Sequence, residues 1–437
     1  MPIETVLTPT EAAHIANNSY FALRNWINKA PVAGVESYSN LYNRVLGSGN
    51  RGSNQPAPGG TNPSLKNTGL ASGAITNIHS ASTGFGVVSG FGYTLSFQEG
   101  SRKHAIVAMR GTREQLANGA DLITDARGSL TSFGAYGLVH KGFKRTFDSL
   151  GASLQRDRAL IETADVVHCV GHSLGGAVAT LVAAHYAAKG KAVRLYTFGS
   201  PRVGALGTHK ALEDGILKDH IYRVSHDLDP ISLVGPFPYV HVNGAAYEWN
   251  NMTIPSPFSA LTLDNHDMAN YMLSVSKTKG TWDGLRLASL RVDHDNHALV
   301  NLLMRGENPS WLQVASAHSL ALLLKLFSHV LKGMSTALIL KLSAVDFLAE
   351  ILFKGLYLGK QFADKVMTLL GYAAKWAGIQ VKSGAQWTAS VISAILTKML
   401  STLNMLARRA AEASTAGLVP IPLMLGSACV LTGCAPL

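Results

Sequence analysis

The chain has 437 residues, of which 47% are hydrophobic and 15% are charged, so it can bury a large core and is not an intrinsically disordered polymer. Its 38 basic and 27 acidic side chains give a net charge of +11, which suits an anionic partner such as a lipid headgroup surface or a nucleic acid. The three cysteines, Cys169, Cys429 and Cys434, are too few to form a disulfide framework for a chain of this length. Stability must therefore come from packing.

The N-terminal segment contains acidic side chains and no apolar run after a basic stretch, so it does not predict a cleavable secretory signal. Thr8, Pro9 and Glu11 instead predict a helix start with a capping box. We therefore expect a protein that is cytoplasmic or exported by a route that reads no cleavable leader, and that acts at membranes. The LTGC sequence at 431–434 looks like a lipoprotein cleavage box, but its place near the C-terminus argues against that interpretation.

Residues 47–73 are rich in Gly, Ser, Asn and Pro, which predicts a loop or a disordered insert. Beyond this insert, short β-rich runs alternate with helical stretches. The β-rich runs are at 93–97, 104–109, 165–170, 192–198 and 220–225. Such alternation predicts an α/β fold with a mostly parallel sheet that is covered by helices on both faces.

Only helical patterns follow about residue 305, so we divide the chain into a domain at 1–300 and a helical region at 306–437. Four long helices are predicted, at 311–332, 335–359, 360–378 and 386–412. Residues 310–437 carry eleven basic and four acidic side chains, and thus +7 of the net charge.

Two interpretations of the helical region stay open. Its apolar stripes can pack on each other as a bundle, or its helices can lie along an anionic bilayer with their lysines at headgroup level. The uncharged segment 413–437 contains three prolines and is more typical of a loose apolar tail than of a spanning helix.

The sequence GHSLGG at 171–176 contains the pattern G-x-S-x-G. It follows a buried-strand run and precedes a helix of small residues, and a strand, tight turn and helix in this order lift a serine hydroxyl out of a sheet. Gly171 and Gly175 leave room for this turn around His172 and Ser173, because a strained and closely packed backbone has no space for a Cβ. The alternative is a glycine-rich turn with an idle serine.

A serine hydroxyl is a poor nucleophile until a base takes its proton, so a histidine held by a carboxylate should follow Ser173 in the chain. Asp227 and Asp229 both follow the run at 220–225, and we prefer Asp229 because a proline after it fixes the turn. The later histidines are His241, His266, His294 and His297. We prefer His266, because it follows the acid and lies where a loop runs into a helix.

Acyl transfer also needs hydrogen-bond donors for the oxyanion that develops on the substrate. The backbone N–H of Leu174, next to Ser173, supplies one donor by geometry. The run at 104–109 ends in Arg110, Gly111 and Thr112, and the N–H and hydroxyl of Thr112 are candidates for the other.

Six separated motifs together resemble, in order and spacing, the class 3 lipases, the fungal-lipase-like branch of the α/β-hydrolases. They are AIVAMRGT (105–112), VHKGF (139–143), VHCVGHSLGGAVATL (167–181), LYTFGSPRVG (195–204), RVSHDLDPI (223–231) and HVNGAAYEW (241–249). The resemblance covers roughly residues 80–275, and it implies an α/β-hydrolase fold.

Carried over position by position, the resemblance implies that Ser173 is the nucleophile, Asp229 the acid and His266 the base, with Thr112 and Leu174 as oxyanion donors. It also implies a mobile lid within or beside 113–129. Neither a metal nor an organic cofactor is implied. Since this chain lacks the signal and cysteines of secreted fungal members, a bacterial type delivered by a specialised secretion system is the analogy we favour.

The function expected from these residues is lipid carboxylic-ester hydrolysis through an acyl-enzyme, at a membrane or emulsion interface. The cationic apolar tail favours a phospholipase A1-like activity, and the alternative is a triacylglycerol or monoacylglycerol lipase. A competing hypothesis of another class is a non-enzymatic protein that inserts its helical tail into membranes. Nucleic acid is not an expected partner, because the basic residues are spread singly through apolar helices. An accessory or inhibitory protein partner is left open.

Overall fold

The computed structural model describes residues 7–20, 36–37, 74–82, 88–111, 130–205, 219–233, 239–241, 251–259, 264–292, 360–379 and 387–413, with a few single residues between them. The predicted insert at 47–73, the helix at 311–332, most of the helix at 335–359 and nearly all of the tail at 413–437 lie outside the described residues. The division of the chain near residue 300 therefore stays a prediction.

The strands form one eight-stranded sheet and one smaller sheet of four. In chain order they are β1 (Glu36–Ser37), β2 (Ala74–Ser82), β3 (Val88–Glu99), β4 (Arg102–Met109), β5 (Leu130–Ser132), β6 (Leu138–His140), β7 (Val166–His172), β8 (Ala192–Phe198), β9 (Gly204–Ala205), β10 (Ile221–His226), β11 (Tyr239–Val240) and β12 (Asn251–Ile254). All five predicted β-rich runs fall on strands of the large sheet, with ends that differ by up to five residues.

The large sheet has the strand order β1-β2-β3-β4-β7-β8-β10-β12. Its first four strands pair antiparallel, and from β4 to β12 every pair is parallel. The parallel half brings the carboxyl ends of β7, β8 and β10 to one edge, where ligand sites of α/β sheets lie.

Helices precede, separate and follow these strands. They are α1 (Pro9–Asn18), α2 (Lys141–Ser149), α3 (Gly151–Arg156), α4 (Arg158–Thr163), α5 (Leu174–Ala188), α6 (Met268–Lys277), α7 (Lys360–Trp376) and α8 (Ala389–Ala413). The predicted capping box of α1 is confirmed: Glu11 N–H donates to Thr8 Oγ1 (3.2 Å), and Thr8 N–H donates to Glu11 Oε2 (2.8 Å). A further helical segment begins at residue 282 and is described to 292.

Both faces of the large sheet are covered, because side chains alternate between two apolar clusters. On β4, Val107 and Met109 join the cluster that contains α5, while Ile106 and Ala108 join the cluster that contains α1 and α6. A parallel sheet with both faces buried matches the predicted α/β-hydrolase architecture.

The C-terminal helices also bury their apolar stripes. Buried residues of α7 and α8 belong to the same apolar cluster as those of α5: Val366, Leu369, Leu370, Ile392, Ile395, Leu396 and Met399. For the part of this region that the structure describes, packing is thus favoured over a bilayer-facing stripe. No helix among the described residues is long and apolar enough to span a bilayer.

Helix α8 begins three residues later than predicted. Thr388 precedes its first residue and accepts a hydrogen bond from Val391 N–H at 3.3 Å, which is the N-cap contact of a helix that starts at Ala389. The apolar pattern includes Trp387, but the Thr388 hydroxyl caps the N-terminus of the helix, so the helix begins only after Thr388.

Candidate active site

Ser173 sits in a strained turn between β7 and α5. Its φ of 57° and ψ of −130° lie in a region that non-glycine residues rarely adopt. The strain is held by neighbours, since Ser173 N–H donates to Phe198 O (3.0 Å) and Gly176 N–H donates to Ser173 O (2.9 Å). The predicted strand, tight turn and helix are therefore present, with Ser173 at the bend.

Glycines make this turn possible by removing side chains from its closest contacts. A Cβ on Gly171 would overlap the carbonyl of Gly175, and a Cβ on Gly175 would overlap the backbone at the end of β4. The end of β7, the start of α5 and the end of β4 thus approach at backbone distance.

We expect Gly171→Ala to lower the free energy of unfolding by about 3 kcal/mol or more, because backbone atoms of α5 would have to move. Gly151→Ala is the matched control: at the start of α3, its Cβ would meet no described atom within 4 Å, and its stability should change by less than about 1 kcal/mol. Urea unfolding of both variants measures the difference. Equal stability of the two would contradict the close approach.

The structure brings Asp229 and His266 together across 37 residues of chain. Asp229 follows β10 and is fully buried, while His266 ends a short 3₁₀ helix, Asp264–His266, just before α6. His266 Nδ1 lies 2.8 Å from Asp229 Oδ2. Because an ionised carboxylate only accepts hydrogen bonds, the Nδ1 proton points at Asp229, and in the neutral imidazole Nε2 then has the lone pair. This is the tautomer that a general base needs.

Asp229 is held as an anion by four donors. Besides His266, the Tyr271 hydroxyl donates to Oδ2 (2.6 Å), and the N–H groups of Ile231 and Ser232 donate to Oδ1 (2.8 and 3.4 Å). Burial by itself raises the pKa of the Asp229 carboxyl, but His266 and these hydrogen bonds outweigh burial and leave the pKa below its usual value. Burial and the adjacent carboxylate raise the pKa of Tyr271, so its hydroxyl keeps the proton that it donates.

Ser173 is close to this pair through its chain neighbour. The His172 ring stacks on the His266 ring, with 4.6 Å between centroids and 30° between planes. Gly199, at the end of β8, also faces the pair, since a Cβ there would lie 3.0 Å from His266 Nδ1. The carboxyl ends of β7, β8 and β10 therefore meet at one place, as the parallel sheet requires.

The other candidates for the acid and the base are engaged elsewhere or lie outside the described residues. Asp227 Oδ1 accepts from the N–H (2.9 Å) and the hydroxyl (2.6 Å) of Ser256. His241 Nε2 lies 3.1 Å from Arg223 Nη2. His294 and His297 fall in a segment that the structure does not describe.

Of the two predicted oxyanion donors, Leu174 lies among the described residues and Thr112 does not. Leu174 is the first residue of α5, where the backbone N–H lies outside the intrahelical hydrogen-bond ladder. Thr112 lies outside the described residues, and so does the predicted lid segment 113–129. The last described residue before Thr112 is Gly111. Its carbonyl accepts a hydrogen bond from the buried guanidinium of Arg110 at 2.6 Å.

Sequence reasoning missed the side chains that hold His266 in place. His172 Nε2 lies 2.8 Å from the His266 carbonyl, and His226 Nδ1 lies 2.7 Å from the Asn265 carbonyl. Two buried histidines thus hold consecutive carbonyls of this loop. In the sequence, His172 stood out only as part of the G-x-S-x-G pattern, and the only signal for His226 was its place directly after the predicted strand at 220–225.

The central part of the chain is similar in sequence to a known protein family. Residues 106–238 match the sequence model of the class 3 lipases. This segment includes Ser173 and Asp229. The similarity to the class 3 lipases is shown for this segment.

A curated protein to which the chain is similar is the secreted mono- and diacylglycerol lipase 1 of Fusarium solani, which is 33% identical over 154 residues. The match covers 33% of this chain and 44% of the relative, so it spans less than half of that protein.

Solved structures of lipases also align with the chain. The mono- and diacylglycerol lipase from Aspergillus oryzae is 19% identical, with a TM-score of 0.39, over 64% of this chain and 93% of the other. The LIP2 lipase of Yarrowia lipolytica is 21% identical, with a TM-score of 0.36, over 54% and 77%. TM-scores below 0.5 do not establish a shared fold, so the fold assignment rests on the strand order.

Proposed function

We propose that this protein hydrolyses carboxylic esters of lipids through a serine acyl-enzyme. The observation that carries the proposal is the hydrogen bond between Asp229 and His266, placed beside a serine that is held in a strained turn. The match of residues 106–238 to the class 3 lipases supports the same reaction class.

Each proposed catalytic residue has a role that follows from its contacts. Ser173 Oγ attacks the ester carbonyl carbon while His266 Nε2 takes its proton, and Asp229 stabilises the imidazolium that forms. The C–O bond to the alcohol then breaks, His266 returns the proton to the leaving oxygen, and an acyl ester on Ser173 remains. Water, activated by His266, releases the fatty acid and restores the serine.

The negative charge on the tetrahedral intermediate needs donors in fixed positions. We assign one to the N–H of Leu174, which begins α5 and therefore adds the positive end of the helix dipole. We assign the second to Thr112. Arg110 supports this assignment, because it is fully buried and holds the Gly111 carbonyl through Nη1.

For the substrate, the curated relative favours acylglycerols over the phospholipids that were expected from the sequence. The Fusarium protein is a mono- and diacylglycerol lipase. Phospholipid stays the second candidate, because the chain has a net charge of +11, and each lysine near an anionic surface contributes about 1 kcal/mol of attraction.

We expect tributyrin or diacylglycerol emulsions to be hydrolysed with a kcat/KM about 10-fold or more above that for vesicles of phosphatidylglycerol. Released fatty acid is titrated in both assays, and rates are normalised to the fraction of Ser173 that a fluorophosphonate labels. A preference for vesicles would select the phospholipase candidate. A labelled serine without hydrolysis of either lipid would contradict the proposal.

A further inference from the structure

His172 makes two hydrogen bonds that together locate its proton. Its Nε2 lies 2.8 Å from the His266 carbonyl, and a carbonyl only accepts, so Nε2 carries the hydrogen. The other nitrogen, Nδ1, therefore has the lone pair, and it accepts a hydrogen bond from the Tyr20 hydroxyl at 2.6 Å. A chain of two hydrogen bonds thus runs from Tyr20 through the imidazole to the backbone of His266.

This arrangement persists at working pH, because His172 stays neutral. Burial and, secondly, repulsion from His266 lower the pKa of His172 to about 3. A neutral imidazole has one donor and one acceptor nitrogen, so the direction of the two hydrogen bonds of His172 depends on which nitrogen carries the proton. A donor at Nδ1 would leave a lone pair on Nε2, facing the oxygen of His266.

His266 therefore depends on His172 in two ways. Its carbonyl is held by Nε2, and its ring stacks on the same imidazole with 4.6 Å between centroids. Rotation or tautomer exchange of His172 would move both the backbone and the ring of His266, on which the hydrogen bond to Asp229 depends.

Tyr20 reaches this place from the N-terminal helix. It lies two residues beyond α1, which packs on α6 and β7. A Cβ added to Gly111 would lie 2.6 Å from the Tyr20 hydroxyl and 2.6 Å from Ser173 Cβ. The phenol oxygen of Tyr20 therefore lies near both Gly111, which follows β4, and the turn at Ser173.

We propose that Tyr20 is a positioning residue for catalysis, which fixes the tautomer of His172 and through it the place of His266. The inference rests on the proposed function, and it adds a residue from outside the segment that matches the lipase family. Tyr20 acts through its hydrogen bond to His172, so removal of its hydroxyl changes the rate of the chemical step and not the binding of substrate.

The test is Tyr20→Phe, which removes only the hydroxyl. We expect kcat on tributyrin to fall about 10-fold with little change in KM, because His172 loses the partner that holds its proton on Nε2. Tyr93→Phe is the matched control: its hydroxyl donates to Ile15 O at 3.2 Å and so also contacts α1, but away from Ser173. It should keep the wild-type kcat, with melting temperatures recorded for both variants.

A double-mutant cycle with His172→Gln tests whether Tyr20 acts through His172. In that background Tyr20→Phe should have less than about a 2-fold effect, because the shared partner is gone. An unchanged 10-fold effect there would overturn the proposal. If the glutamine variant does not fold, the comparison of Tyr20→Phe with Tyr93→Phe decides.

Three further outcomes would overturn the proposal. They are a wild-type kcat in Tyr20→Phe, an equal loss in both phenylalanine variants, and a raised KM with unchanged kcat, which would place Tyr20 against the substrate. Failure of the proposed function looks different, because the wild-type protein would then neither react with a fluorophosphonate nor hydrolyse the ester.

Discussion

Replacing Ser173 with alanine should lower kcat on a lipid ester by about 10³-fold or more, because the variant has no hydroxyl at this turn to form the acyl-enzyme. The fold should survive, since the strained backbone keeps its contacts to Phe198 and Gly176 and only the hydroxyl is removed. Fatty-acid release and covalent labelling by a fluorophosphonate are the two measurements, and both should be lost together.

Ser200→Ala is the matched control for this variant. Ser200 is buried near the turn at Ser173, since a Cβ added to Gly176 would lie 2.8 Å from the Cβ of Ser200. The hydroxyl of Ser200 donates to the Pro201 carbonyl. We expect its kcat to stay within about 3-fold of wild type, as for a buried hydrogen bond outside the reaction path. Activity retained in Ser173→Ala would show that the reaction uses a different group.

Asp229→Asn should lower kcat by about 10³- to 10⁴-fold while leaving the fold in place. The amide is nearly isosteric, and its oxygen can still accept from the N–H groups of Ile231 and Ser232. Its NH₂ group would then face His266 Nδ1, which favours a proton on Nε2 and removes the lone pair that accepts the proton of Ser173. The loss should appear in kcat at saturating substrate. The melting temperature of the variant should stay within a few degrees of the wild-type value.

Asp227→Asn separates this role from general damage to the loop after β10. Asp227 is two residues away, but its carboxylate binds Ser256 and not His266. We expect at most about a 3-fold change in kcat, with any stability loss limited to one charged hydrogen-bond network. If the two asparagine variants lost activity equally, Asp229 would have no special place in the reaction.

Features that depend on neighbours in the chain were predictable from the sequence. Thr8 and Glu11 meet because they are three residues apart at a helix start, and the alternation along β4 follows from the two-residue repeat of a strand. The turn at Ser173 was predictable for the same reason, because Gly171 and Gly175 lie within two residues of it.

The tertiary structure decided which distant side chains meet. Two aspartates and several histidines were open candidates, and spacing alone does not say that His266 contacts Asp229 and that Asp227 contacts Ser256. The contact of Tyr20 with His172 had no sequence signal, since 152 residues of chain separate the two side chains. Short-range propensities carry no information about such contacts, which depend on the packing of α1 and α6 against the same sheet.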